Sequence, residues 1–321
     1  MRFLLTLSMA ALLAFLPGCG EKPADEQGAD STAVAGDQGV PSIDLQTPAL
    51  AVGQWISYGV NQDSTEVKLS VVSTQDVAGV ACFWLQVEGD GEAVQILVDP
   101  AQIREVMSRA SETANEFYAD PAAYVAANVP SDPRQMLTTE ENIQNFMALL
   151  GAIKMVKVMD NGTLMAYDLT NVPATIEPVL SDSAFLAQLQ AGMQVDAAQE
   201  GVADSLIEKI SQYEFTAENT EMDVAGSGMS GSLFTMTGPE MTAEVFLCSD
   251  LPIIPLGYAK ATRATDGDEQ TLSVRGFGME GAVDLLPGAP AQTVDVAPMI
   301  QMLIMQMQSQ MQQSQGAQAN R

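Results

Sequence analysis

The feature that most constrains this chain is a hydrophobic period that changes twice along its length. Between Gly53 and Val98, apolar residues fall in short alternating or continuous runs separated by Gly and Asp, the pattern of strands joined by tight turns. From Asp99 to about Gln212 they recur mainly every three or four residues, as on one face of a helix, and from Tyr213 to Phe277 the strand pattern returns. Strands, then helices, then strands with short connections predict an α+β domain built on an antiparallel sheet, not a βαβ repeat.

The individual runs carry that expectation. Gly53 to Tyr58, Glu66 to Val72, Val80 to Val87 and Ala93 to Val98 read as a four-stranded meander, with Gly89-Asp90-Gly91 as one turn. Asp99-Pro100 pairs an N-cap residue with a proline suited to the first helical position, and Ile103, Val106, Met107, Ala110, Ala114 and Phe117 form one stripe. Thr138-x-x-Glu141 reads as a capping box for a second helix using Ile143, Phe146, Met147 and Leu150. Met155 to Met159 and Thr163 to Leu169 flank Asp160-Asn161-Gly162 as a hairpin, and helices are expected over 181–194 and 202–210. Strands follow at 213–222, 232–237, 241–248, 257–263 and 271–277. After a Pro- and Gly-rich passage, Met299, Leu303, Met307 and Met311 stack at i, i+4 in a C-terminal amphipathic helix.

The N-terminus speaks to location. Met1-Arg2 precedes an apolar run, Phe3 to Leu16, that is too short to span a bilayer and is followed by Leu16-Pro17-Gly18-Cys19. Leu at −3, Gly at −1 and Cys at +1 resemble the lipobox of bacterial lipoproteins. That resemblance implies removal of residues 1–18, a diacylglycerol on Cys19 and acylation of the new amino group. Gly20, rather than Asp, implies delivery to the outer membrane, facing the periplasm or the cell surface. Residues 19–48, poor in large apolar side chains, are expected to be a disordered tether. The body is expected over 49–285 with a helical insertion at about 100–212, followed by a linker and Met/Gln-rich helix over 286–321.

Composition removes function classes. The formal charge is −28 with no basic cluster, so nucleic acid is repelled and any hold on a membrane falls to the acyl chains. There is no histidine, which excludes Ser-His-Asp and Cys-His nucleophiles and the usual zinc sites. No P-loop, G-x-G-x-x-G or G-x-S-x-G motif occurs, and no cofactor is expected. With Cys19 lipidated, Cys82 and Cys248 remain as an even pair in an oxidising compartment and are expected to form a disulfide, two buried thiols being the other reading.

Several groups invite a site. Trp55, Tyr58, Phe83 and Trp84 concentrate aromatic surface in the first sheet segment and are the candidate ligand-binding residues, with ordinary sheet core as the other reading. Met299, Met302 and Met305 offer thioethers to copper, but no His or Cys supports them, so a docking helix is the expectation and no metal is assigned. Asp266-Gly267-Asp268-Glu269 lacks the spacing of a calcium loop and reads as a solvated turn. The apolar loop Leu251 to Leu256 is either pinned in the core or exposed as a contact surface.

Two places resemble the lipoprotein-carrier superfamily, the LolA- and LolB-like proteins. They are Gly53-x-Trp55-x-x-Tyr58 with the Phe83-Trp84 pair, and Pro252-x-x-Pro255-Leu256-Gly257 followed by Leu272-x-Val274 and Phe277-Gly278. The resemblance implies a curved antiparallel half-barrel around helices, able to hold acyl chains; it carries over no site residue. The functional expectation is a non-catalytic envelope lipoprotein binding a hydrophobic ligand or lipid. The alternative is a scaffold lipoprotein engaging an envelope protein through the Leu251–Leu256 loop or the Met299–Met311 helix. A carboxylate-based hydrolase is the remote alternative.

Overall fold

Every strand expected from the alternation forms, and together they build one sheet. The computed structural model describes residues 42–46, 49–61, 65–130, 139–192, 207–265 and 267–319. The strands are β1 (Trp55–Val60), β2 (Glu66–Val77), β3 (Val80–Gly89), β4 (Glu92–Val98), β5 (Ile153–Asp160), β6 (Thr163–Asp168), β7 (Glu214–Val224), β8 (Ser227–Thr237), β9 (Met241–Leu247), β10 (Leu256–Arg263), β11 (Glu269–Gly278) and β12 (Gln292–Asp295). The helices are α1 (Pro100–Ala119), α2 (Pro121–Asn128), α3 (Glu140–Ala152), α4 (Val172–Leu180), α5 (Ser183–Gly192) and α6 (Ala297–Ala319). This is an α+β fold whose curved, unclosed 12-stranded sheet is half-barrel-like.

The strand order is β12-β6-β5-β4-β3-β2-β1-β11-β10-β9-β8-β7. All neighbours are antiparallel except β12 and β6. The two sheet segments of the sequence meet where β1 pairs with β11, Ile56 opposite Phe277 and Val60 opposite Leu272. The helical insertion therefore leaves the sheet after β4 and rejoins it at β5, the neighbour of β4.

Helix α1 explains the curvature. Asp99 caps it as expected, its Oδ1 accepting from Ala101 N–H and Gln102 N–H, at the end of β4. Near its other end, Tyr118 packs edge-on against Phe234 of β8 and Phe215 of β7, with centroids 5.1 and 5.7 Å apart. From Pro100 to Tyr118 a helix advances about 27 Å, whereas β4 and β8 lie seven strand spacings apart, about 34 Å on a flat sheet. The sheet bends around the helix as an arc around its chord. The second capping expectation shifts by one residue: Thr139 caps α3, its Oγ1 accepting from Asn142 N–H, and Thr138 lies outside the described residues.

The main core lies on the helix-bearing face, where Ile56, Val71, Phe246, Leu251 and Ala114 meet. Phe246 is fully buried between two glycines: a Cβ on Gly231 would approach its ring to 2.7 Å, and one on Gly257 to 2.8 Å. Leu251, Pro252 and Ile253 are buried with it, so the apolar loop is pinned in the core and is not a contact surface. Tyr58 and Tyr118 enter the same core. Burial raises both phenol pKa values, that of Tyr118 to about 12. An acid whose folded pKa is raised contributes its full share of stability below the unfolded value, near 10, and loses it as pH rises from there through the folded value. Urea midpoints are therefore expected to fall above about pH 10, with Tyr118 ionising only near pH 12 in ultraviolet difference titration.

The expected Cys82–Cys248 disulfide is corrected by the sheet. Both cysteines are buried free thiols. Cys82 clusters with Trp84 and Leu97, while Cys248 sits in the main core with Leu251 and Leu256. Phe83, the next residue in β3, packs on the main core, so Cys82 points to the opposite face of the sheet. Five strand spacings, about 24 Å along the sheet, also separate β3 from β9, whereas a disulfide needs Cα atoms within about 7 Å. Burial pushes the Cys82 thiol pKa up, with Asp99 and Asp76 adding to the effect and Lys154 opposing it. A thiol reagent is expected to label both cysteines after denaturation and neither in the native protein.

Candidate functional site

Cross-strand register lines up apolar side chains into two rows on the helix-bearing face. Residues directly opposite in an antiparallel pair share a face. One row runs Val71, Leu85, Ile96, Val156, Tyr167 from β2 to β6. The other runs Phe277, Ile56, Leu69, Val87, Val94, Val158, Met165 across seven strands from β11 to β6.

Burial changes along these rows. Ile56, Val71 and Val87 are buried at the β1–β3 end, while Leu69 and Phe277 beside them in the second row are half-buried. Leu85, Val94, Ile96, Val156, Val158, Met165 and Tyr167 are all only half-buried. The helical layer shows the same gradient. Ser111 and Ala114, in the second half of α1, are buried, whereas Ile103, Val106, Met107 and Ala110, on the stripe that leads to Ala114, are half-buried. Helix α3, which packs beside α1, keeps Ile143, Met147 and Leu150 half-buried and Phe146 exposed. The β3–β6 floor and its neighbouring helices thus form an apolar surface that is not closed like the core beside it. The floor rows carry no charge; their one polar group is the Tyr167 hydroxyl.

The opposite face is finished differently. Residues 279–291 leave β11 and cross to β12 at the far side of β6, forming a strap. Ala282 N–H donates to Gly53 O at 2.9 Å, and Ala291 N–H donates to Leu164 O. Between those ends the strap covers two buried glutamines. Gln86 donates through Nε2 to Val283 O at 3.0 Å, and its Oε1 accepts from Leu285 N–H and from Gln95 Nε2. Gln95 Nε2 also donates to Asp284, whose Oδ1 accepts from Leu286 N–H as well. Lys157 Nζ stands 4.0 Å over the Trp84 ring; burial pushes its pKa down, and Asp284 pulls it back up.

The four candidate aromatics divide between these faces. Tyr58 and Phe83 belong to the helix-bearing side, where the Tyr58 hydroxyl donates to Leu256 O at 2.8 Å. Trp55 and Trp84 point to the strap side. Trp55 lies over Gly276 and Gly278 of β11 with its indole N–H donating to Glu280 O, and Trp84 donates to Gln75 Oε1. The structure therefore does not gather the four into one pocket. Sequence reading passed over Leu85, Ile96, Val156 and Tyr167. Their alternation marked them as inward-facing, but nothing in it separates a half-covered strand from a buried one.

The remaining candidates are placed as follows. Cys19 lies outside the described residues, as does Asp266. Among the described residues, no group of three or more His, Cys, Asp or Glu is placed to hold a metal ion. No described helix is long and apolar enough to cross a membrane. The last residues of the expected tether are docked: Ile43 is buried, its N–H donates to Asn115 Oδ1, and Asn115 Nδ2 donates back to Ile43 O.

No family model matches this chain, and no curated protein sequence matches it. Among solved structures, it is similar to a Bacteroides fragilis protein described as exported and as having a YmcC-like fold. That alignment has 6% identity and a TM-score of 0.22, and it covers 73% of this chain and 99% of the other.

Proposed function

We propose that this protein is a non-catalytic cell-envelope lipoprotein, anchored to the outer membrane through Cys19, that holds a hydrophobic ligand of the acyl-chain class on its β3–β6 floor. The observation that carries the reading is the half-buried, uncharged floor beside a core of the same sheet whose central residues, Ile56, Val71, Phe246 and Leu251, are fully buried. A sheet that needed only stability would close this region as tightly as the Phe246 region; an apolar ligand completes it instead. The missing histidine and the uncharged floor both favour holding over turnover.

The test is binding of 1-N-phenylnaphthylamine, a neutral fluorophore that brightens in apolar surroundings, followed by its displacement with long-chain acylglycerol. Saturable binding that Val156→Glu weakens more than about ten-fold is expected, because the carboxylate must be buried for the ligand to seat. Val156→Trp, which fills the floor without adding charge, separates loss of space from loss of folding: circular dichroism should be unchanged and binding lost. Dye binding equal in both variants and the parent protein would remove the floor as the site.

A further inference from the structure

Helix α6 presents an apolar surface that the rest of the described protein does not cover. It has 23 residues, about 34 Å, and packs on α4, whose nine residues span about 13 Å and so flank less than half of it. Ala297 is buried, and Ile300 and Ile304 are half-buried. Around the remaining circumference Met302 is 66% exposed, Leu303 58% and Met307 43%, with Met299 and Met305 also open. Exposed apolar area of this extent marks a contact surface.

Charge identifies the occupant. From Val296 to Asn320 there is no Asp, Glu, Lys or Arg, in a chain whose formal charge is −28. Helices that lie in a bilayer surface use a charged face rich in Lys and Arg to meet headgroups, and this one has none. A basic protein partner would be drawn to the acidic body and not to the neutral helix. A second copy needs only a patch that is complementary to itself, and an uncharged Met, Leu and Gln surface meets that condition. Two bodies at −28 repel, so they can associate only through an element that keeps their carboxylates apart. Antiparallel helices place the two bodies at opposite ends of the pair, with helix length well beyond the screening distance of about 8 Å.

We infer that α6 is a self-association helix: two copies of this chain pair through antiparallel α6 helices about a two-fold axis near Met307. One helix face is a small interface, so the dimer should be weak and depend on protein concentration. Because the helices hold the bodies beyond the screening distance at physiological salt, dimerisation should weaken only at low ionic strength, where that distance reaches about 30 Å.

Two measurements decide it. In whole cells making the full chain, Met307→Cys should give a disulfide-linked dimer on a non-reducing gel and Met299→Cys should not, since antiparallel packing brings residue 307, but not 299, against itself. Cys82 and Cys248 are buried and do not interfere. Sedimentation velocity of the purified protein should show a dimer that disappears in the Leu303→Glu, Met307→Glu double variant and returns when that variant is mixed with the Leu303→Lys, Met307→Lys pair. Equal cross-linking at 299 and 307 would overturn the antiparallel arrangement. A monomer at about 1 mM protein, in low and high salt alike, would overturn self-association. So would a monomer that instead sediments with phosphatidylcholine vesicles, which would assign the helix to a bilayer.

Discussion

Phe246→Ala is expected to cost about 4 kcal/mol of unfolding free energy and to lower the melting temperature by roughly 10 °C. The large value follows from the neighbours. The ring fills the space above Gly231 in β8 and Gly257 in β10, and neither glycine has a side chain that could move into the vacancy. The backbone there is held by the β8–β9 and β9–β10 ladders, so collapse is restricted and most of the cavity persists. A Gly257→Ala variant tests the same packing from the other side. Its Cβ would meet the Phe246 ring at 2.8 Å, so the single change should destabilise, and Gly257→Ala combined with Phe246→Ala should cost less than the sum of the two. Additive costs in a thermal-unfolding cycle would mean that the ring and the glycines do not share one space.

Gln86→Leu carries the second-largest expected effect, about 2–3 kcal/mol, and should release the strap rather than unfold the sheet. Leu matches the volume of Gln but removes three hydrogen bonds together: those to Val283 O, from Leu285 N–H and from Gln95 Nε2. The Gln95 amide is itself fully buried, and its Oε1 has no partner among the described residues, so the loss falls on a network with little in reserve. Hydrogen exchange is expected to rise across 279–291 and at β12, with β8–β10 unchanged. Protection lost uniformly over the whole sheet would instead make the strap part of the global fold.

The two faces of the sheet assign these effects different meanings. The strap closes one face with hydrogen bonds to backbone groups, while helices cover the other and leave β3–β6 half-open. Binding variants at Val156 and stability variants at Gln86 act on opposite faces, through strands separated by β4, and their effects on dye binding should be independent. The self-association helix stands apart from both.

Local chemistry was sufficient to place most of the secondary structure. Asp99-Pro100 stated the start of α1, and the Asp160-Asn161-Gly162 turn stated the β5–β6 hairpin, because caps and turns are decided by the residues that form them. The same locality explains the omissions. Helix α4 contains Pro173 and Pro178, which read as breakers, and β12 is four residues long and exists because β6 offers it a parallel partner. Which strands become neighbours depended on pairings between residues distant in the sequence, such as Ile56 with Phe277 and Ile96 with Val156. Those pairings separated Cys82 from Cys248, divided Trp55 and Trp84 from Tyr58 and Phe83, and brought Ile96 and Val156 together on a floor. Alternation in a sequence says that a side chain points to one side of a strand. Only the tertiary structure decides what stands on that side, because burial is a property of the neighbours.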